Sequence, residues 1–257
     1  MAYTKNAGVR IHYEVEGSGP ALVLLHGFMS SLEDWFECGY VAGLRSHYRV
    51  ILIDSRGHGD SDKPHDEASY TLDLRVRDVT SVLDALGIEE AHFWGYSMGG
   101  YIGFGMSAYA PDRLTTLIAG AAHPYARDQS THRQLLREGI QHGGDAFVAA
   151  FERVMGPVPE NYAAKLRAAD FHAWLAGAAD RIGIERVLKT MSTRCCIYCG
   201  DMDPLFAQAR LASEQVPNAS FLALPGLSHV QAFAQSGAIL PHVLAFLANG
   251  GRLTQNP

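Results

Sequence analysis

The sequence predicts an α/β protein with a mostly parallel sheet, flanked by helices and interrupted by one helical insertion. Strand-like runs alternate with helical segments, and the loops between them are short. Most of these runs are almost continuously apolar, which is typical of parallel strands buried on both faces. Only one interval, residues 123–191, interrupts the alternation because it contains no clear strand. These three observations define the expected fold class.

The strands are predicted from their hydrophobic pattern. Val9–Glu16 (VRIHYEVE) alternates apolar and polar residues and is expected to be an antiparallel edge strand. The remaining runs end in glycine or polar residues: Ala21–Gly27, Tyr48–Gly57, Ala91–Ser97, Leu114–Ala122, Cys195–Asp201 and Ser220–Gly226. Because the carboxyl ends of parallel strands share one edge of a sheet, we expect functional residues to gather there.

Helices are expected between the strands. The candidates are Ser31–Arg45, Tyr70–Leu86, Met98–Ala110, Leu205–Ser213 and Ser236–Ala248. Residues 123–191 contain two amphipathic stretches and are expected to form a helical cap, which leaves residues 1–122 and 192–257 as the core domain. Residues 249–257 are expected to be a frayed tail.

The composition excludes several classes of function. The chain has 257 residues, 47% of them hydrophobic, and a net charge of −6 without a basic stripe, so nucleic acid is not an expected partner. The amino-terminal segment has no apolar core of a signal peptide, and no stretch reaches the roughly 18 apolar residues of a membrane span. We therefore expect a cytoplasmic protein with no membrane partner. The pattern indicates no particular oligomeric state.

The four cysteines do not predict a metal or redox site. Cys195, Cys196 and Cys199 lie in a strand-like run, and Cys38 is distant in sequence. A zinc or redox site needs a second ligand pair or an electropositive setting, and neither is visible. We expect buried thiols, no metal and no cofactor.

The stretch Gly95–Gly99 (GYSMG) fits G-x-S-x-G, the nucleophile elbow. This tight strand-to-helix turn exposes the serine hydroxyl, and its glycines relieve crowding. An apolar run precedes the motif and a segment rich in small residues follows it. Ser97 is therefore the predicted nucleophile.

A serine nucleophile needs a base and a carboxylate that orients the base. His229 follows the last strand and is preferred over His242, which lies in an apolar helical segment. Asp203 is preferred over Asp201 because it lies farther past the strand and precedes Pro204, which favours an extended conformation. Asp201 could instead be a loop carboxylate or a helix cap.

Two backbone N–H groups are expected to form an oxyanion hole. One belongs to Met98, directly after the nucleophile at the start of a helix, where the helix dipole adds positive charge. The other is assigned to Phe28, which follows the tight turn at His26 and Gly27.

Together these segments resemble the α/β-hydrolase fold superfamily over nearly the whole chain. The resemblance is carried by five segments: His26–Phe28, Asp54–Pro64, Gly95–Gly100, Gly200–Asp203 and Gly226–His229. The candidate serine, aspartate and histidine also follow one another in the order that is typical of the family. It implies the α/β-hydrolase fold, with a sheet of about eight strands and an inserted helical cap.

The resemblance also implies the roles of residues. The triad would be Ser97, Asp203 and His229, and the oxyanion donors the amides of Phe28 and Met98; Asp54 would be structural. Haloalkane dehalogenase and epoxide hydrolase relatives use an aspartate as nucleophile, so the chain looks more similar to bacterial esterases, cofactor-free haloperoxidases and lactonases. That likeness implies hydrolysis of carboxylic esters through an acyl-enzyme.

Aromatic residues and a histidine are the candidates for substrate binding. They are Trp35, Tyr96, His123, Phe147, Phe151 and Trp174. Equally, the cap residues among them could pack the cap onto the core. Since no Arg or Lys stands out as an anchor, the sequence predicts a largely apolar pocket for small to medium uncharged esters, lactones included.

Two alternatives remain open at the level of sequence. One is a hydrolase of carbon–carbon bonds in ring-cleavage diketones, which would need polar residues for the substrate's carboxylate. The other is a hydrolase-like sensor that binds a small ligand and turns over slowly.

Overall fold

Eight strands form a single sheet in the computed structural model, which describes residues 2–248. The predicted tail, residues 249–257, lies outside the described residues. The strands are β1 (Ala2–Asn6), β2 (Val9–Glu16), β3 (Ala21–Leu25), β4 (Arg49–Ile53), β5 (Ala91–Tyr96), β6 (Leu114–Gly120), β7 (Arg194–Gly200) and β8 (Ala219–Leu224). Their order is β1-β2-β4-β3-β5-β6-β7-β8. The strands from β4 to β8 along this order are parallel, which confirms the predicted class.

One end of the sheet differs from the prediction. β2 has the predicted bounds and is antiparallel to β4, but it is not the edge, because β1 pairs along its outer side. β1 is five residues long, and none of them is buried. Its sequence, AYTKN, therefore carries no apolar signal from which a strand could be predicted.

Eleven α-helices are present among residues 2–248. They are α1 (Glu33–Glu37), α2 (Tyr40–Leu44), α3 (Leu72–Ala85), α4 (Met98–Tyr109), α5 (Ser130–His142), α6 (Gly144–Met155), α7 (Glu160–Arg167), α8 (Phe171–Gly177), α9 (Phe206–Gln215), α10 (His229–Phe233) and α11 (Ser236–Ala248). Short 3₁₀ helices cover Glu67–Tyr70, Pro111–Arg113 and Glu185–Thr190.

The helix predicted over Ser31–Arg45 is two helices. Gly39 has φ +81°, the left-handed conformation that ends a helix, and it separates α1 from α2. The apolar spacing continues across the break, since Trp35, Tyr40 and Leu44 are all buried in the core. Periodicity alone therefore indicated one helix where the backbone makes two.

Four helices, α5 to α8, lie between β6 and β7, inside the interval predicted to be inserted. They have an apolar cluster of their own, which includes Leu136, Phe147, Phe151 and Leu166 and is distinct from the core around the sheet. We call α5 to α8 the inserted helices. Within the part of the chain that the structure describes, no helix is long and apolar enough to cross a membrane.

Candidate active site

Ser97 stands at the turn between β5 and α4 in a strained conformation, with φ 51° and ψ −106°. Its N–H donates to the carbonyl of Gly120 at 2.8 Å, which fixes the turn to β6. A Cβ on Gly95 would lie 2.2 Å from the carbonyl carbon of Gly99, and a Cβ on Gly99 would lie 2.1 Å from the carbonyl oxygen of Leu25. The flanking glycines thus relieve crowding, and the strain is stored at the carboxyl end of a strand.

Asp203 and His229 are paired. The Nδ1 of His229 lies 2.6 Å from Oδ2 of Asp203, so this nitrogen carries the proton and donates to the carboxylate. The other carboxylate oxygen accepts the N–H of Leu205 at 2.9 Å. Burial opposes ionisation of Asp203, but the hydrogen bond and charge of His229 prevail and hold the pKa of Asp203 below its usual value. The carboxylate is therefore ionised at neutral pH and orients the imidazole.

His229 begins a short helix, α10, rather than lying in the expected loop. A capping box explains the start: Ser228 and Gln231 bond to each other's backbone N–H groups. The hydroxyl of Tyr96, directly before Ser97, donates to the carbonyl of His229. This contact joins the start of α10, where the histidine lies, to the strand that precedes the serine.

The competing residues have other roles. Asp201 is an exposed loop carboxylate that accepts the N–H of Gly226 at 2.7 Å. His242 is exposed on α11, where its ring bonds the carbonyl of Ala238. Asp54 is buried, and it accepts the N–H of Leu32 and bonds His12, which gives it a structural place.

The loop after β3 lies against the nucleophile, since a Cβ on Gly27 would be 3.5 Å from that of Ser97. His26 fixes this loop: its Nδ1 donates to the carbonyl of Gly27 at 2.7 Å, and its Nε2 accepts the N–H of Ser55 at 3.1 Å. Burial lowers the pKa of His26, so the ring stays neutral, as this pair of bonds requires. Because the peptide is planar and trans, the N–H of Phe28 points away from the ring. It has no acceptor among the described residues.

One cavity of about 320 Å³ joins all the predicted catalytic groups. Its lining includes Ser97, Asp203, His229, Phe28 and Met98. The site residues inferred from the motifs therefore share a single opening at the carboxyl edge of the sheet.

The predicted substrate-binding residues do not line that cavity. Phe147 and Phe151 are buried within the inserted helices, and Trp174 joins them and faces a second cavity beside His58. The other three also pack inside the protein: Trp35 against Trp94, Tyr96 against Phe233, and His123 against Tyr125. The i,i+4 aromatic spacing identified a buried helix face, and buried faces pack against protein rather than ligand.

The cavity lining is mostly apolar, as the sequence predicted, but it also carries cationic side chains that the sequence analysis did not identify. Arg75, Arg127 and Arg181 line it, together with His132. Burial, aided by the nearby arginines, lowers the pKa of His132 to about 4, so this ring is neutral at pH 7. Arg75 lies inside the predicted helix Tyr70–Leu86, and Arg127 and Arg181 lie inside the predicted insertion. No motif surrounds any of them, so the sequence carried no signal for their place in the site.

No metal site accompanies these groups within residues 2–248, where no three His, Cys, Asp or Glu side chains are placed to hold an ion. Cys195, Cys196 and Cys199 are free thiols buried in β7, as the sequence predicted. Burial raises the pKa of Cys195 well above its usual value, which keeps it protonated and unreactive.

Comparisons with known proteins agree with the fold. A family model for the alpha/beta hydrolase fold matches residues 20–168 of the chain. Among curated proteins, the chain is similar to bifunctional epoxide hydrolase 2 of Mus musculus, with 37% identity over 118 residues that cover 45% of this chain and 21% of that protein. The chain thus spans about a fifth of that relative's length.

Two solved structures cover almost the whole chain. The enol-lactonase from Burkholderia xenovorans LB400 superposes with a TM-score of 0.85 at 23% identity, over 96% of this chain and 100% of that one. The esterase RhEst1 from Rhodococcus sp. ECU1013 superposes with a TM-score of 0.83 at 23% identity, over 97% and 98%. At this level of identity, the likeness shows a shared fold.

Proposed function

The chain belongs to the α/β-hydrolase fold family, and on that premise we propose that it hydrolyses carboxylic esters, lactones included, with Ser97, His229 and Asp203 as its triad. One observation carries the proposal. The strained Ser97 shares a cavity with a histidine whose Nδ1 is held by a buried carboxylate, which leaves Nε2 as the acceptor for a proton.

The first half of the reaction forms an acyl-enzyme. The Oγ of Ser97 attacks the ester carbonyl while Nε2 of His229 takes its proton. The N–H groups of Phe28 and Met98 stabilise the negative oxygen that develops, a contribution of about 3–4 kcal/mol for each such donor. The tetrahedral intermediate then expels the alcohol, which leaves with the proton from His229.

The second half releases the acid. Water enters after the alcohol has left, and His229 removes a proton from it as it attacks the acyl carbon. Collapse of the second tetrahedral intermediate returns the proton to Ser97. Asp203 stays ionised throughout, because its role is to orient the imidazole and to stabilise the imidazolium.

A serine favours ester hydrolysis over opening of an epoxide. In epoxide hydrolases of this superfamily an aspartate occupies the nucleophile position, and this chain has Ser97 there. The Mus musculus relative is named an epoxide hydrolase, and a serine at position 97 does not suit the opening of an epoxide. The names of the two structural neighbours, an enol-lactonase and an esterase, agree with the proposed chemistry.

The test is steady-state turnover of p-nitrophenyl acetate, butyrate and octanoate by the wild type, Ser97→Ala and Ser107→Ala. Ser107 is a matched control because it is another buried serine, it lies on α4 outside the cavity lining, and its hydroxyl has no partner among the described residues. We expect Ser97→Ala to lose at least about 1000-fold in kcat. Ser107→Ala should keep wild-type turnover.

Two results would contradict the proposal. Equal turnover by Ser97→Ala and the wild type would show that another group performs the attack. Failure of the wild type to release more than one equivalent of nitrophenol from any of the three esters would exclude an esterase. Turnover of a coloured dienoate would then support the carbon–carbon hydrolase, and ligand-induced stabilisation without turnover would support the sensor.

A further inference from the structure

Two arginines of the cavity are fixed side by side by their backbones. Arg127 and Arg181 exchange both N–H···O bonds, at 3.1 and 2.9 Å, as an isolated antiparallel bridge. Residues directly opposite in such a pair present their side chains on the same face. Both arginines line the cavity that holds Ser97, so this face is the cavity side.

The neighbouring carboxylates are committed elsewhere. Asp128 and Asp180 are adjacent in sequence to the two arginines, and both bind Arg133, at 3.4 and 2.6 Å. The arginines themselves form no ion pair with a described residue. Two like charges placed directly opposite each other destabilise a pair of strands. An anion bound between the two guanidinium groups would therefore relieve their electrostatic repulsion.

Arg181 is the less satisfied of the two. Its guanidinium lies over the ring of Tyr101, 5.0 Å from the centroid, and its Nη1 is buried without a hydrogen-bond partner among the described residues. Burial and the charge of Arg127 lower the pKa of Arg181 to about 9, which leaves it cationic at pH 7. A buried donor without an acceptor is expensive, and a ligand that supplies the acceptor recovers that cost.

Tyr101 connects Arg181 to the helix that begins after the nucleophile. The N–H of Tyr101 donates to the carbonyl of Ser97 at 3.0 Å, so Tyr101 lies one helical turn beyond the serine, a rise of about 6 Å. Arg75 adds a third positive charge at the same end, because its Nη1 contacts Sδ of Met98 at 2.9 Å. The carboxylate that acts on Arg127, Asp203, is already held by His229 and Leu205.

We propose that Arg181, together with Arg127, binds a carboxylate carried by the substrate, so that the site selects anionic esters or lactones over neutral ones. A guanidinium holds a carboxylate through two parallel hydrogen bonds, which fixes orientation as well as charge. The inference rests on the proposed ester hydrolysis for the reaction, while the anion site itself can be tested without turnover.

The first experiment compares kcat/KM for anionic esters and their neutral isosteres. Monoethyl glutarate is paired with ethyl pentanoate, and 4-acetoxybutanoate with butyl acetate, which places the carboxylate on the acyl side in one pair and on the alcohol side in the other. The wild type should prefer the anionic member of at least one pair. Arg181→Gln should reduce that preference by roughly 10- to 100-fold, the range for hydrogen bonds to charged groups.

Two further variants separate recognition from general effects. Arg181→Lys keeps the charge but loses the planar fork, and it should retain more of the preference than Arg181→Gln. Arg137→Gln removes one positive charge from an exposed position on α5, outside the cavity lining, and should leave the preference unchanged. If Arg181→Gln does not fold, Arg127→Gln replaces it in the comparison.

The second experiment measures binding of glutarate and of 1,5-pentanediol to Ser97→Ala by calorimetry, which needs no turnover. Tighter binding of glutarate, weakened at least tenfold by adding Arg181→Gln, supports the anion site even if no ester is hydrolysed. In that event only the proposed function fails. Equal kcat/KM for anionic and neutral esters, or glutarate binding that is undetectable or insensitive to Arg181→Gln, would overturn the inference.

Discussion

His26→Leu separates the position of the oxyanion donor from the rest of the site. His26 is fully buried and touches no reacting atom, but its two ring nitrogens bond the carbonyl of Gly27 and the N–H of Ser55. Leucine fills a similar volume and can make neither bond. The peptide between Gly27 and Phe28 is then free to rotate, so its N–H no longer has a fixed direction.

The structure sets the size of both effects. The carbonyl of Gly27 and the N–H of Ser55 lose their hydrogen-bond partner, at about 1–3 kcal/mol each. The free energy of unfolding should therefore fall by roughly 2–6 kcal/mol. Loss of one oxyanion donor costs about 100- to 1000-fold in kcat, which is the upper limit for the fall in turnover. Because Ser97 and His229 are untouched, KM for p-nitrophenyl butyrate should change much less than kcat.

The assay pairs urea unfolding with steady-state kinetics on the same preparation of His26→Leu. His242→Leu is the control, since His242 is exposed on α11 and, among residues 2–248, its one hydrogen bond is to the carbonyl one turn earlier. The control should match the wild type in both measurements. If His26→Leu loses stability as expected and yet keeps wild-type kcat, the bond to Gly27 does not position the donor, and that reasoning fails.

Three other perturbations have expected outcomes. Asp203→Asn should lower kcat by roughly 10³- to 10⁴-fold because the imidazole loses its orienting charge, whereas Asp201→Asn should leave p-nitrophenyl butyrate turnover unchanged. Gly99→Ala places a Cβ 2.1 Å from the carbonyl oxygen of Leu25, the last residue of β3, so it should lower the Tm measured by calorimetry. An unchanged Tm would mean that the backbone of the turn can shift without loss of stability. Burial, aided by nearby arginines, lowers the pKa of both His123 and His132 to about 4, while the unfolded chain takes up these protons below about pH 6.5. Stability should therefore fall as pH drops from about 6.5 towards 4, which urea midpoints can follow, and His132→Gln should flatten that dependence.

The sequence predicted the sheet and the local motifs because each depends on a short stretch of chain. Apolar runs indicated seven of the eight strands, and the order of the motifs placed Ser97, Asp203 and His229 at the ends of three of them. The geometry of parallel strands then brings these ends to one edge. The exception, β1, has no buried residue and so leaves no apolar pattern to detect.

The lining of the cavity was not predictable in the same way. Phe147 and Phe151 form an apolar stripe whose partners are other inserted helices, and a stripe does not say which surface covers it. Arg127 and Arg181 are far apart in sequence and meet only because the inserted helices return to their starting point. Their proximity is a property of the tertiary structure, and no local sequence pattern predicts it.

The bridge between Arg127 and Arg181 joins the chain just before α5 to the chain just after α8. The helices beyond that bridge can then be regarded as an exchangeable module, since both ends of the segment are already held together beside the core. A chimera that keeps Arg127, Arg181 and Arg133, which holds the two neighbouring aspartates, and takes the rest of α5 to α8 from another protein would inherit this positive charge. It would change the size of the cavity and its uncharged lining, so shape and charge preference could be altered separately.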